Sequence, residues 1–120
     1  MATLTAKLTL TSSDATSDAL SLSVSDTLTT TNPQINVARI SCPHDSATQV
    51  LTTSQSAITY VYLKNIDSTN IIVVKTDGAV SFSDLGPGEF IFFPLKGAVG
   101  VEVQADTAAC ILEYGYWTKS

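Results

Sequence analysis

Few residues in this chain of 120 are equipped for chemistry, and most of them stand apart. The one histidine, His44, follows Cys42 by two positions in Cys42-Pro43-His44-Asp45. A thiolate and an imidazole at that spacing could give two ligands to a metal, with two more supplied from elsewhere. A cupin-type metal site needs several histidines and a carboxylate, which one histidine cannot provide. The segment reads instead as a turn, since proline cannot donate to a strand ladder. His44 would also have to serve as base in any serine triad. Its neighbour Asp45 points away from it in extended chain, and no Gly-x-Ser-x-Gly elbow occurs. Glycoside hydrolysis needs two carboxyl groups flanking one bond. Asp84, Glu89, Glu102, Asp106 and Glu113 are the candidates, and their places beside turns or at alternating positions read as solvated strand ends. Gly86-Pro87-Gly88-Glu89 precedes a strand rather than a helix, so it offers no helix N-terminus to a phosphate. Tyr114, Tyr116 and Trp117 are either a sugar platform or packing groups. Tyr114 and Tyr116 share one face of the last strand and Trp117 the other, and core or subunit contact is the expectation. No catalysis, metal or cofactor is expected.

What must position these residues is a chain rich in hydroxyls and poor in charge. There are 17 Thr and 14 Ser, charged residues make up 14%, and the net charge is -5. A basic nucleic-acid-binding domain is excluded, because nothing neutralises phosphates in bulk. With 44% hydrophobic residues the chain has enough to form a core. Ser and Thr are poor in helix interiors, and Thr favours strands. No apolar run approaches a membrane-spanning helix, and the alternating start Met1-Ala2-Thr3-Leu4-Thr5 does not read as a secretory signal. Cys42 and Cys110, 68 positions apart, can bond only if the fold brings them together; two buried free thiols are the expectation.

Period-two alternation runs through nearly the whole chain. Leu4, Ala6, Leu8 and Leu10 alternate with Thr5, Lys7 and Thr9, and Leu20, Leu22 and Val24 alternate with serines. Asn32-Pro33 is a break, and Ile35 and Val37 open a strand running to about Ser41. Val50 lies in a short, weak strand. Ile58 to Asn65 is apolar on both faces and predicts a central strand. Further strands follow at Ile71–Val74, at Val80 and Phe82, at Phe90–Phe93, at Val99–Val103 and at Ala109–Trp117. Asp67–Asn70 and Gly86–Gly88 are turns, and Asp77-Gly78 signals a type I′ hairpin. Pro94 ends its strand or marks a sheet edge. Eight to ten short strands without a helix predict one antiparallel domain over 1–120, a sandwich or barrel. The two halves differ. Residues 1–59 hold 23 of the 31 hydroxyl residues and no aromatic, whereas residues 60–120 hold all nine aromatics. The second half should form the core, and residues 1–30 contain a strand or arm suited to a neighbouring subunit.

The stretch Tyr60-Val61-Tyr62-Leu63-Lys64-Asn65-Ile66-Asp67-Ser68-Thr69-Asn70 resembles a segment of small structural proteins of tailed, particularly marine, bacteriophages. Leu85-Gly86-Pro87-Gly88-Glu89-Phe90, then Val101-Glu102-Val103-Gln104-Ala105-Asp106 and a terminal aromatic strand, continue the likeness in the same order. The opening Ala2-Thr3-Leu4-Thr5-Ala6 also fits. The resemblance implies an all-β antiparallel β-sandwich of jelly-roll type and a virion component of the head decoration or cement kind, often trimeric. Its partners would be itself and the phage major capsid protein, with no nucleic acid and no membrane. It would be made in the host cytoplasm and placed on the capsid surface. A tail- or vertex-associated module binding host glycans is the alternative, and a small carbohydrate-active enzyme the third. Low charge supports assembly independently, because hydroxyls are cheaper to desolvate than charges. Leu4, Ala6, Leu8 and Leu10, through strand exchange or β-augmentation, and Tyr114, Tyr116 and Trp117 are the expected interface residues.

Overall fold

The computed structural model describes residues 2–31, 37–53 and 56–120. Among the described residues there are ten antiparallel strands and no helix. The first two, β1 (Ala2–Ser12) and β2 (Leu20–Thr30), pair along their whole length, from Ala2 opposite Thr30 to Ser12 opposite Leu20. They form a two-stranded ribbon of about 36 Å at ~3.3 Å per residue. The remaining eight form a β-sandwich. They are β3 (Ala38–Cys42), β4 (Thr48–Leu51), β5 (Thr59–Asn65), β6 (Ile72–Thr76), β7 (Ser81–Leu85), β8 (Phe90–Leu95), β9 (Val101–Ala105) and β10 (Cys110–Thr118). One sheet runs β3-β10-β5-β8 and the other β4-β9-β6-β7. The pairs β3/β10, β4/β9, β5/β8 and β6/β7 are those of one long hairpin, tip at β6–β7, wound up so that its rungs alternate between two layers. The ladders β5/β10 and β6/β9 then join the rungs within each layer. The expected break at Asn32-Pro33 and the strand opening at Ile35 lie outside the described residues.

The core is where the inner faces meet. Val61 and Leu63 of β5, Ile72 and Val74 of β6, Val101 and Val103 of β9 and Leu112 of β10 have no exposed surface. All of them come from strands flanked on both sides, β5, β6, β9 and β10, as the two-faced apolarity of residues 58–65 predicts for β5. Tyr114 and Tyr116 lie half-buried against this core. Phe82 stands out at a bulge, 48% exposed: Val74 faces Ser83 but Lys75 faces Ser81, so the register passes over Phe82. Its ring meets Phe93 of β8 edge-on, with centroids 5.9 Å apart, across the open side of the sandwich. Cys110 stands directly opposite Cys42 in the β3/β10 ladder, so the fold does bring the two together, and both are buried free thiols. Burial pushes the Cys42 thiol up to about 11, with the neighbouring Cys110 adding to it.

Three turns carry the residues that stood out in sequence. Asn65 has no exposed surface, and its amide closes the 65–70 turn completely. Its Nδ2 donates to the carbonyls of Asn70 and Leu85, each at 2.8 Å, and its Oδ1 accepts from the Asp67 N–H. The Asp67 carboxylate accepts from the N–H groups of Thr69 and Asn70, which hold it below its ordinary range. At 86–89, Pro87 precedes Gly88 at φ 78°, and the Glu89 N–H donates to the Gly86 carbonyl. That is a type II turn, whose third position needs glycine. The Asp77-Gly78 turn differs from expectation. Ala79, not Gly78, takes the left-handed conformation, at φ 61°. The Ala79 N–H donates to the Thr76 carbonyl, and Thr76 and Val80 close the loop. This is a three-residue loop with a left-handed last residue instead of a two-residue type I′ turn. Pro94 lies in β8 at a sheet edge, where its missing donor faces no partner strand.

The ribbon is fixed to the sandwich at its base. The Thr31 N–H donates to the Thr118 carbonyl at 2.9 Å and the Ser120 N–H to the Thr29 carbonyl at 3.1 Å. Beyond that point the two strands have close backbone neighbours mainly in each other. The radius of gyration, 15.5 Å, exceeds the roughly 13–14 Å of a compact chain of this length, as a projecting arm requires.

Candidate functional site

The register of the ribbon sorts its residues by face. Leu4 stands opposite Leu28, Leu8 opposite Val24 and Leu10 opposite Leu22, with Ala6 opposite Asp26. These side chains share one face. The other face pairs Thr3 with Thr29, Thr5 with Thr27, Lys7 with Ser25, Thr9 with Ser23 and Thr11 with Ser21. The alternation of Leu and Thr seen in sequence therefore builds a ribbon with an apolar side and a hydroxyl side.

The apolar side turns toward the outer face of the β3-β10-β5-β8 sheet. Outward residues there are Tyr60 and Tyr62 of β5, Phe90 and Phe92 of β8 and Trp117 of β10, because their neighbours Val61, Leu63 and Leu112 point into the core. Tyr60 stacks on Phe92 with centroids 6.3 Å apart, and Phe92 lies 6.4 Å from the Trp117 ring. Gly115 makes room for that ring: a Cβ on it would lie 3.0 Å from Trp117 Cη2. Between ribbon and sheet is an open cleft of about 720 Å³, lined from the ribbon by Leu4, Ala6, Leu8 and Val24 and from the sheet by Tyr62, Phe90, Phe92 and Trp117. Its size falls in the range of ligand sites, and its walls are largely apolar.

One polar cluster borders this region. Tyr62 Oη donates to Glu113 Oε1 at 2.8 Å, and Arg39 Nε donates to Glu113 Oε2 at 3.2 Å. Burial, then the bond to Glu113, pushes the Tyr62 hydroxyl up to about 12. The Tyr62 bond, aided by Arg39, holds the Glu113 carboxyl below its usual range. Tyr62 thus stays a neutral donor and Glu113 an anion, an arrangement that fixes side chains and leaves no group poised for proton transfer near neutrality.

The other chemical candidates are scattered. Glu89 Oε1 accepts from the Gly86 N–H at 2.6 Å within its own turn, and Asp106 Oδ1 accepts from the Ile71 N–H at 3.3 Å, joining the segment after β9 to the one before β6. Glu102 of β9 and Asp84 of β7 face outward from the second sheet, opposite Lys75 and Val73 of β6. Glu113 faces outward from the first sheet, across the thickness of the sandwich. His44 is exposed while Cys42 is in the core, and no cluster of three metal-ligating side chains occurs among the described residues.

Of the residues singled out in sequence, Leu4, Ala6, Leu8 and Trp117 meet at the cleft. Leu10 lies beyond it on the ribbon, 43% exposed. Tyr114 and Tyr116 sit on the inner face against the core. Sequence reasoning missed Val24, Phe90 and Phe92. The signal for the two phenylalanines was the alternation of Phe90 and Phe92 with Ile91 and Phe93, which puts an aromatic pair on one face and Ile91 with Phe93 on the other, and for Val24 its alternation with serines. No protein-family model, no curated protein and no solved structure matches the chain.

Proposed function

We propose that this chain is a non-enzymatic structural subunit of a phage virion, a capsid decoration or cement protein that binds the assembled head and stabilises it. The observation that carries this reading is the ribbon: 22 residues in perfect register, secured at the base, with an apolar face left open to solvent along its outer half. A two-stranded ribbon alone is marginal in water, and an exposed apolar face marks an interaction surface. The strand order supports the jelly-roll form. Numbered along the chain, the eight sandwich strands are ordered 1-8-3-6 and 2-7-4-5, the arrangement obtained by rolling up one long hairpin. The segments that carry the phage resemblance have definite structural work in the Asn65–Asn70 clamp and the Gly86–Glu89 turn, which favours a shared scaffold over a shared reaction. The separation of Glu102 and Asp84 from Glu113 speaks against a glycosidase pair.

Its partners are other copies, as a trimer, and the major capsid protein, at the outer surface of the head. Virions lacking this chain should lose their DNA at lower temperature and on milder osmotic shock than complete ones, and complete virions should hold hundreds of copies. Equal robustness with and without it, or a few copies per particle, defeats the cement reading. The low copy number together with binding on a glycan array would instead support the tail or vertex module, for which the Tyr60–Phe92–Trp117 cluster is the stacking surface.

A further inference from the structure

We propose that the cleft between ribbon and sandwich receives the outer half of the ribbon of a second copy of this chain, with Leu10 and Leu22 of one copy seated against Phe90 and Phe92 of the next. This rests on the reading of the ribbon as an assembly arm and names what the arm grips.

Three observations select the occupant. The first is that the chain already sets the same two surfaces face to face within itself. At the ribbon base, Leu4 and Ala6 face Tyr62 and Trp117 across the cleft. The same face continues outward through Leu8 opposite Val24 and Leu10 opposite Leu22, and the same sheet continues to Phe90 and Phe92. Both continuations end in solvent. The second is charge. The chain carries a net charge of -5, so two copies repel except where acidic groups are absent. None of Leu8, Leu10, Leu22, Val24, Phe90 and Phe92 is charged. The cleft lining adds one acid, Asp26, and one base, Lys7, so it holds no surplus of acid for a basic partner and no cluster of lysines for an anionic lipid surface. The third is area. Leu8, Leu10, Leu22 and Val24 are 40–51% exposed, Phe92 38% and Phe90 59%. These side chains expose on the order of 500 Å² per copy, which one ribbon-in-cleft contact covers; two copies that exchange ribbons reciprocally cover two such sets, about 1,000 Å², the size at which interfaces become specific.

Each copy both offers a ribbon and holds a cleft, so the contact is head-to-tail and closes into a ring when the rotation permits. Only Thr5, Lys7 and Ser25 of the ribbon's hydroxyl side border the cleft; the rest of that side stays solvated at no desolvation cost.

The test is the mass of the full chain in solution, by sedimentation or light scattering, up to the order of 100 µM. The wild type is expected at a multiple of 12.7 kDa. Leu10→Lys with Leu22→Lys, and separately Phe90→Lys, should each weaken association by at least about tenfold. All three positions are exposed, so both variants should keep the wild-type far-UV spectrum. Mixing the two variants should restore a heterodimer, because the Phe90→Lys chain keeps its ribbon and the ribbon variant keeps its cleft. Trp117, the one tryptophan, lines the cleft, and its emission should shift to the blue as wild-type concentration rises. A monomeric wild type, an oligomer whose mass neither variant changes, or mixed variants that stay apart overturns the proposal. So does a monomer whose Trp117 emission responds to a fatty acid added alone. Head binding is read on virions and self-association on the isolated chain, so either can fail without the other.

Discussion

The ribbon and the sandwich are written in the same alternating pattern and meet different fates. Along β1 the apolar residues Leu4, Leu8 and Leu10 alternate with Thr and Lys as regularly as Val101 and Val103 alternate with Glu102 and Gln104 along β9. In β9 every apolar residue is buried, because a second sheet lies about 10 Å away and a strand flanks it on each side. In β1 the burial fades from half-buried at Leu4 to exposed at Leu8 and Leu10, because the ribbon leaves the sandwich behind. Strand pairing is complete in both regions, so hydrogen bonding is not what separates them. What differs is the presence of a second apolar layer, and the ribbon is the part of the molecule whose second layer must come from outside.

That contrast can be broken most sharply at buried leucines. Leu63→Ala or Leu112→Ala should cost about 2–5 kcal/mol in denaturant unfolding, a large share of a domain's usual stability. Leu10→Ala or Leu22→Ala, measured on the monomer at low concentration, should fall within ~0.5 kcal/mol of wild type. Comparable losses at both places would show that the ribbon is part of the cooperative core.

Asn65 comes next. Asn65→Ala leaves the carbonyls of Asn70 and Leu85 and the N–H of Asp67 without their partner and should cost about 2–3 kcal/mol. The loss belongs to the sandwich alone, so concentration-dependent association of the ribbon should persist at temperatures where the variant is folded. Ala79→Gly should act in the opposite direction. It relieves a left-handed alanine at a hairpin and should raise stability by about 0.5–1 kcal/mol.

The smallest effect is electrostatic. The folded Asp67 carboxyl titrates below its ordinary 3.8, so its contribution is fully present above that pH and is lost as the pH falls through the folded value. Asp67→Asn should therefore be slightly less stable than wild type at pH 7, and the gap should close progressively below pH 3.8 in acid titration followed by circular dichroism. A gap that is constant with pH would place the effect in the turn's shape and not in its charge.

How much of this was legible in sequence depends on whether the cause is local. Period two placed the strands, and the apolar residues on both faces of 58–65 placed β5 between two neighbours. Opposite facing of Tyr114 and Tyr116 against Trp117 also follows from alternation alone. The turn at Asp77-Gly78 did not follow, because Val80 and Thr76 close the loop one residue wider and move the left-handed position onto Ala79. Gly115 gave no signal, since its reason is the Trp117 ring folded over it. Phe82 reaches Phe93 from a bulge that no pattern announces. The cleft was least visible. Its residues come from five strands, and only the pairing of β1 with β2 turns Leu4, Ala6 and Leu8 of one strand and Val24 of the other into one wall.

The central claim is that the sandwich is a finished fold and the ribbon an unfinished one. Hydrogen exchange of the full chain, read segment by segment at two concentrations, tests it most directly. The account predicts that amides of Leu20–Thr30 and Phe90–Phe93 gain protection as concentration rises while those of Val61, Leu63 and Val103 stay equally slow. Ribbon amides as slow as those of β5 at low concentration, or ribbon exchange indifferent to concentration, would contradict it.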